Sequence, residues 1–238
     1  MQKTKIYAHR GSRGTKNEYP ENTMLAFQKA IEHKADGIEL DVHLSRDEHV
    51  IVIHDEDLDR TTDGTGFVRN HPLDELKEFD AGQGEKIPTL QEVFELLSGT
   101  SLELNIELKT NRFPYPKMPQ KLLDMAKKMG ESRKIIYSSF HLPTLLTIKK
   151  LDNTAKIAWL LESGIIANPE RAIKASNLDA LHITPTMFLP YLHRFEGLVD
   201  KIRIYTVNDA VEIRELAKIG IDAVITDVPD VAREVLGA

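Results

Sequence analysis

Two short stretches concentrate carboxylates at alternating positions. GIELDV (37–42) sets Glu39 and Asp41 two residues apart, and LELNIELK (102–109) spaces Asn105, Glu107 and Lys109 in the same way. Side chains of a β-strand alternate between its faces, so each set shares one face while Ile38, Leu40 and Val42 take the other. A half-exposed strand carries such acids as a solvated surface. A strand covered on both faces buries them, and buried carboxylates without a partner cost several kcal/mol each and repel one another. Three converging carboxylates therefore call for positive charge. Arg10 and Lys109 are available, and a divalent cation satisfies all three acids at once. Oxygen ligands without thiolate select Mg²⁺ or Ca²⁺, with zinc left open if a histidine ligates. His9 and His54 each close a strand-like run beside a charged residue, Arg10 and Asp55 respectively. Two imidazoles flanking a cation serve as general acid and general base near neutral pH. The planar guanidinium of Arg10 suits phosphate oxygens. A cation, an arginine and two histidines describe phosphoryl transfer or phosphodiester cleavage with no covalent amino-acid nucleophile. The remaining histidines (His33, His43, His49, His71, His141, His182 and His193) are read as structural hydrogen bonders, although His43 shares the face of Glu39 and Asp41.

The elements that must position these groups follow a regular rhythm. Runs rich in Ile, Val and Leu predict strands at Lys5–His9, Gly37–Val42, Val50–Ile53, Leu102–Lys109, Lys134–Ser138, Lys156–Leu160, Ala180–Ile183, Ile202–Val207 and Ala223–Thr226. Helical patterns mostly separate them. Asn22 or Thr23 caps a helix with Met24, Phe27 and Ile31 on one face, and Thr89 with Glu92 forms a capping box before Leu90, Val93, Phe94 and Leu97. Pro143 and Pro169 suit first helical turns, the latter after an Asn168 cap, and Gly130 and Gly220 suit left-handed stops. Strand, helix, strand at this spacing means parallel pairing through right-handed crossovers. Only HLSRDEH separates Val42 from Val50, too short for a parallel crossover, so Val50–Ile53 is expected to fold back as a hairpin arm. Eight parallel strands remain, which predicts an α/β fold of the TIM (β/α)₈ barrel type. A doubly wound open sheet is the rival, but Gly11 and Gly14 fit its glycine-rich turn poorly. Barrel active sites lie at the C-terminal strand ends, where His9, Arg10, Glu39, Asp41, His54, Glu107 and Lys109 all fall. Residues 56–88 fit no crossover and are expected to form a small insertion over the barrel mouth, within a single domain spanning 1–238.

Composition narrows the partners. The chain has 238 residues, 31 Lys and Arg against 37 Asp and Glu, a net charge of −6, and no cysteine. Disulfides, thiolate metal sites and cysteine nucleophiles are thereby absent. Nucleic-acid binding, which needs a basic face, is not expected. The N-terminal residues lack a signal-peptide pattern and no stretch approaches a membrane span, which predicts a cytoplasmic protein without a stable membrane anchor. Binding of a divalent ion changes the charge sum to −4, so an acidic chain is expected to be cationic where an anion binds.

The chain also resembles a known family, the glycerophosphodiester phosphodiesterases, relatives of the phosphatidylinositol-specific phospholipases C. The resemblance rests on YAHRG (7–11), PENT (20–23), GIELDV (37–42), VIVIHD (50–55), TTDGTG (61–66), IPTLQEV (87–93), NIELK (105–109), SSF (138–140), YTVN (205–208) and GIDAVITDVPD (220–230), in the family's order from end to end. It implies metal ligation by Glu39, Asp41 and Glu107, acid and base roles for His9 and His54, and phosphate contacts from Arg10 and Lys109. It further implies hydrolysis of a small-molecule glycerophosphodiester to sn-glycerol 3-phosphate and an alcohol, by attack of a glycerol hydroxyl on phosphorus and opening of a cyclic phosphate. Two departures stand out. Tyr205 occupies a position where the family commonly has Trp packed on the glycerol. The segment between HRG and PENT is longer than in many members and carries Arg13, Lys16 and Glu18. A lysophospholipase D-like activity and a non-catalytic glycerol-phosphate-binding barrel are the alternative readings. The insertion offers Phe67 and Phe79 and little else in an apolar run to accept an acyl chain, which argues against a lipid substrate.

Overall fold

The computed structural model describes residues 3–130, 134–164 and 166–237. Nine strands occur among them: β1 (Lys5–His9), β2 (Gly37–Leu44), β3 (Val50–Val52), β4 (Glu103–Leu108), β5 (Ile135–Ser139), β6 (Lys156–Leu161), β7 (Ala180–Ile183), β8 (Ile202–Ile204) and β9 (Ala223–Thr226). All but β3 pair in parallel, and β1 hydrogen-bonds both β2 and β9, so the sheet closes on itself. The result is a closed eight-stranded parallel barrel of the TIM type, and the open-sheet alternative falls. The expected hairpin is present, with β3 antiparallel to β2 through the pair Val42 and Val52. Strand β2 runs two residues past its expected end because this hairpin extends its ladder to Leu44.

The helices begin and end where local chemistry dictates. Helix α1 (Met24–Glu32) starts at Thr23, whose side chain accepts the Ala26 N–H. After the short α2 (Leu73–Leu76), α3 (Leu90–Leu97) carries the complete Thr89–Glu92 capping box. Helices α4 (Met118–Lys128) and α5 (Leu142–Leu151) follow, each with proline in its first turn, and α6 (Pro169–Ala175) starts after the Asn168 cap. Beyond α7 (Pro185–Phe188), α8 (Ala210–Ile219) ends on left-handed Gly220, and α9 (Pro229–Leu236) completes the ring. No helix of the described residues is long and apolar enough to cross a membrane.

Alternation now sorts the strand residues. Ile38, Leu40, Val42, Leu104, Ile106 and Leu108 enter the continuous core between barrel and helices. Glu39, Asp41, Asn105 and Glu107 take the other face, inside the barrel. Residues 56–88 hold a 3₁₀ turn (Val68–Asn70) and α2 around a separate small cluster that includes Ile51, Leu58, Val68 and Leu76. At the N-terminal end of the strands the interior is closed by polar packing. Tyr7 donates its hydroxyl to Glu103, Lys5 Nζ lies 2.8 Å from Glu103, and the Arg203 guanidinium stacks 4.7 Å from the Tyr7 ring while its Nε donates to Asp222 at 2.6 Å.

Gly37 is required by that plug. A Cβ there would lie 2.5 Å from the Tyr7 ring and 2.9 Å from the Glu103 carbonyl oxygen. Replacement Gly37→Ala is expected to destabilise the fold by about 1–3 kcal/mol through overpacking. Calorimetry would register this as a Tm lowered by several degrees, and an unchanged Tm would refute the steric account.

Candidate active site

Register decides which side chains meet. His9 on β1 is level with Glu39 on β2, and Glu39 and Asp41 are level with Asn105 and Glu107 on β4. As a result, carboxylate oxygens of Glu39, Asp41 and Glu107 all lie within 4.8 Å of one another. The three side chains are buried, with 4%, 1% and 6% of each residue exposed.

The surroundings of this cluster are built from backbone turns that sequence alone would not place. Arg10 and Gly11 both take left-handed backbone conformations, φ 56° and 83°, after β1 ends. Gly11 is there by necessity, since a Cβ would strike the Ala26 backbone at 2.7 Å. The turn aims the Arg10 N–H at Glu39 Oε2, 3.0 Å away. Asn22, also left-handed, donates its backbone N–H to the Arg10 carbonyl and its side-chain amide to Asp41 Oδ2 at 2.9 Å. Lys109 Nζ donates to Glu107 Oε1 at 2.9 Å and lies 3.4 Å from Asp41 Oδ1.

These contacts do not neutralise the cluster. Burial, followed by repulsion from Asp41 and Glu107, lifts the Glu39 carboxyl well above its ordinary range. Burial also raises Glu107, offset only in part by Lys109. For Asp41 burial acts upward, yet Lys109, His54 and Arg10 outweigh it and hold the carboxyl below the usual range. Asp41 Oδ1 is buried without a hydrogen-bond donor among the described residues. A buried acceptor of that kind, amid three hard-oxygen ligands, fits a divalent cation and offers nothing to a soft one.

Each predicted histidine is gripped from behind. His9 Nδ1 lies 2.8 Å from Asp227 Oδ1, and His54 Nδ1 lies 2.5 Å from Asp55 Oδ1. Asp227 is held in turn by Asn208 at 2.7 Å and Arg13 at 3.2 Å. Asp55 is held by Arg60, Nε to Oδ2 at 2.6 Å. Burial notwithstanding, these partners pull both carboxyls down to about 2. Lys109 Nζ sits 3.0 Å from His54 Nε2, and because an ammonium only donates, Nε2 accepts and Nδ1 carries the proton toward Asp55. Glu21 joins the two sides. Its carboxylate meets Arg10 at 2.9 Å, Arg60 at 2.7 Å and Arg13 at 3.3 Å.

His9, Arg10, Glu39, His54, Glu107, Lys109 and Tyr205 line one cavity of about 450 Å³ at the C-terminal strand ends, and the buried Asp41 carboxylate lies within 4.8 Å of those of Glu39 and Glu107. All eight residues singled out in the sequence thus converge. Within the site Arg10 is paired with Glu21 and Lys109 with Glu107. His182 also departs from its reading as a structural hydrogen bonder. It is fully buried in the cavity wall, and neither ring nitrogen has a hydrogen-bond partner among the described residues. His43 instead hydrogen-bonds the His54 carbonyl at 3.1 Å, and burial pushes its imidazolium down to about 4. Sequence reasoning missed Glu21, Asn22, Asp55 and Asp227. Asp55 adjoins His54, and the others stand inside PENT and VITDVPD, but nothing local tells which side chain such residues will meet.

Comparison with known proteins agrees with this architecture. The glycerophosphoryl diester phosphodiesterase family model matches residues 9–231. A glycerophosphodiester phosphodiesterase of Caldanaerobacter subterraneus subsp. tengcongensis is 39% identical over 238 aligned residues, which cover 96% of each chain. One from Bacillus altitudinis is 36% identical, covering 95% of this chain and 96% of that protein. Among solved structures, an Oleispira antarctica phosphodiesterase in complex with the product sn-glycerol-3-phosphate has a TM-score of 0.85 at 29% identity, covering 99% of this chain and 98% of that one. With a barrel closed around these motifs and a family match running nearly from end to end, the chain belongs to the glycerophosphoryl diester phosphodiesterase family.

Proposed function

We propose that this protein hydrolyses glycerophosphodiesters to sn-glycerol 3-phosphate and an alcohol, with a divalent cation, Mg²⁺ or Ca²⁺, held by Glu39, Asp41 and Glu107. The observation that carries the reading is the convergence of three buried carboxylates with two carboxylate-held histidines in one cavity. When bound, the cation supplies electrostatic stabilisation of negative charge developing on the phosphate group. Glu39, Asp41 and Glu107 would hold it.

The remaining steps belong to the chain's own side chains. One histidine accepts a proton from the attacking glycerol hydroxyl while the other donates one to the departing alcohol oxygen, and water then opens the resulting cyclic phosphate to sn-glycerol 3-phosphate with the two roles reversed. Asp55 and Asp227 keep both rings oriented, each accepting from Nδ1, which leaves Nε2 of His9 for chemistry, and Nε2 of His54 once Lys109 turns to the phosphate. Arg10 and Lys109 donate to the phosphate oxygens, which are a better match for them than for a neutral substrate. Tyr205 packs its ring against the glycerol. Its phenol stays protonated, because burial and then the Glu107 and Glu162 charges raise its pKa. Residues 56–88 belong to the same domain in this reading and contribute Glu56 to the cavity rim.

Incubation with glycerophosphocholine and Mg²⁺ or Ca²⁺, followed by assay of sn-glycerol 3-phosphate, is expected to show turnover that chelation abolishes. Turnover surviving complete chelation would overturn the metal assignment. Glu39→Gln and Glu107→Gln each remove a hard anionic ligand and are expected to weaken cation affinity in calorimetric titration. His9→Ala and His54→Ala are expected to lower kcat by roughly 10²–10⁴-fold with the circular dichroism spectrum retained. A double variant with full activity would dismiss the acid–base roles.

The network behind the histidines also sets acid stability. Glu21 is lowered from 4.5 to about 2, and Asp55 and Asp227 from 3.8 to about 2, in each case by ion pairing and hydrogen bonding that outweigh burial. Carboxyls depressed in the folded state stabilise it fully above their unfolded values and lose that contribution as pH falls through the folded ones. Wild-type Tm is therefore expected to fall between about pH 4.5 and 2 more steeply than that of Asp227→Asn. Parallel curves would show that Asp227 is not so coupled.

A further inference from the structure

Arg60 belongs to the insertion, just ahead of the TTDGTG segment (61–66), and is not among the residues that line the cavity. Its half-exposed guanidinium nevertheless spans two carboxylates at once. Nε and Nη2 donate to Asp55 Oδ2 and Oδ1 at 2.6 and 3.1 Å, while Nη2 and Nη1 donate to Glu21 Oε1 and Oε2 at 2.7 and 3.1 Å. An exposed ion pair is ordinarily worth little, but a fork that meets both oxygens of two carboxylates fixes their planes. Those planes matter to the cavity. Asp55 holds the Nδ1 atom of His54, and Glu21, whose side chain is buried, holds Arg10.

The segment that presents Arg60 is held in shape by its own turns. The Thr62 hydroxyl donates to the Leu58 carbonyl at 2.8 Å and accepts the Gly64 N–H at 3.0 Å, and the Asp59 carboxylate accepts the Gly66 N–H at 2.9 Å. A Cβ on Gly64 would lie 2.8 Å from the Phe79 ring, so the segment can meet the insertion's apolar cluster only with glycine there. Arg60 is thus braced by the insertion's own core. Two further contacts join the same insertion to the stretch that carries Arg10 and Asn22. Glu85 accepts the Leu25 N–H at 3.0 Å, and the Gln83 amide donates to the Glu18 carbonyl at 2.7 Å.

We propose that Arg60 is a positioning residue for the phosphodiester reaction, and that residues 56–88 are through it a working part of the active site. This rests on the reading above, in which His54 moves a proton and Arg10 donates to phosphate. One guanidinium acts on both groups. Through Asp55 it fixes the ring of His54, and through Glu21 it shares, with Arg13, a charge that would otherwise fall to Arg10 alone. Arg10 is then able to turn to a phosphate oxygen. Each action has its own kinetic signature: a misaligned ring lowers kcat, and a tighter hold of Glu21 on Arg10 raises KM. Lysine in the same place would keep the charge without the fork.

Steady-state kinetics on glycerophosphocholine, together with NMR of the His54 ring, tests the assignment. Arg60→Ala is expected to lower kcat by roughly 10–10²-fold, the scale of a misplaced catalytic group, and to raise KM by roughly tenfold, the scale of one charged hydrogen bond. The kcat loss should vanish when Arg60→Ala is made in an Asp55→Asn background, and the KM rise in a Glu21→Gln background, because each route is then already cut. Arg60→Lys should recover more of KM than of kcat. In the NMR arm, the His54 Nδ1 proton should exchange slowly with solvent in wild type and faster in Arg60→Ala. Wild-type kinetics in Arg60→Ala would overturn the proposal. So would losses that multiply undiminished in both backgrounds, or an equal loss in Gly37→Ala, which lowers Tm from the far end of the barrel, since Arg60 would then be a structural contact only. If wild type hydrolyses no glycerophosphodiester, the phosphodiesterase reading fails and proton exchange decides the rest: faster exchange in Arg60→Ala keeps its hold on His54, and unchanged exchange ends it. Hydrolysis with kinetics and exchange both unmoved in Arg60→Ala would leave that reading standing and remove this one.

Discussion

Three carboxylates buried within 4.8 Å of one another are the constraint around which the rest of this molecule is arranged. Left alone, such a cluster would protonate or open the barrel, since each added charge raises the cost of the next. The chain answers with directed partners. An N–H from the left-handed turn at Arg10 meets Glu39, the Asn22 amide meets Asp41, and Lys109 meets Glu107. These are too few to saturate six carboxylate oxygens, and the deficit leaves a buried acidic cluster compatible with a divalent cation. A fully satisfied cluster would be inert.

The same economy of charge extends outward. Each histidine is backed by an aspartate, each aspartate by an arginine, and Glu21 ties the arginines together. Fixed partners on Nδ1 limit rotation of the rings. At the opposite end of the barrel, the Tyr7, Glu103, Arg203 and Asp222 packing closes the interior. The cavity is therefore open at one end and blind at the other.

Much of the fold could be read along the chain because its signals are local. Alternation in GIELDV and LELNIELK put the acids on one face before any partner strand was known, and the capping box at Thr89 and Glu92 formed where its spacing required. The hairpin followed from a connection too short for anything else. Less legible were strand ends: β2 continues to Leu44 because β3 offers it hydrogen bonds, and β8 stops at Ile204 although Tyr205 and Val207 still bond the Ile183 and Ile225 carbonyls. Ladder extent depends on the neighbour, which a strand's own residues do not specify.

What the sequence by itself determined was chemistry and periodicity: which residues could ligate, donate or accept, and which faces they would share. Tertiary structure alone decided pairing. Asp227 reaches His9 across 218 positions of the chain, Glu103 meets Tyr7 across 96, and Asn22 turns inward only because a left-handed backbone points it at Asp41. It also left both His182 ring nitrogens without a hydrogen-bond partner among the described residues, a fact invisible in any window of residues. Hydrogen bonds and ion pairs of this reach are set by barrel closure and register, and those are properties of the whole sheet.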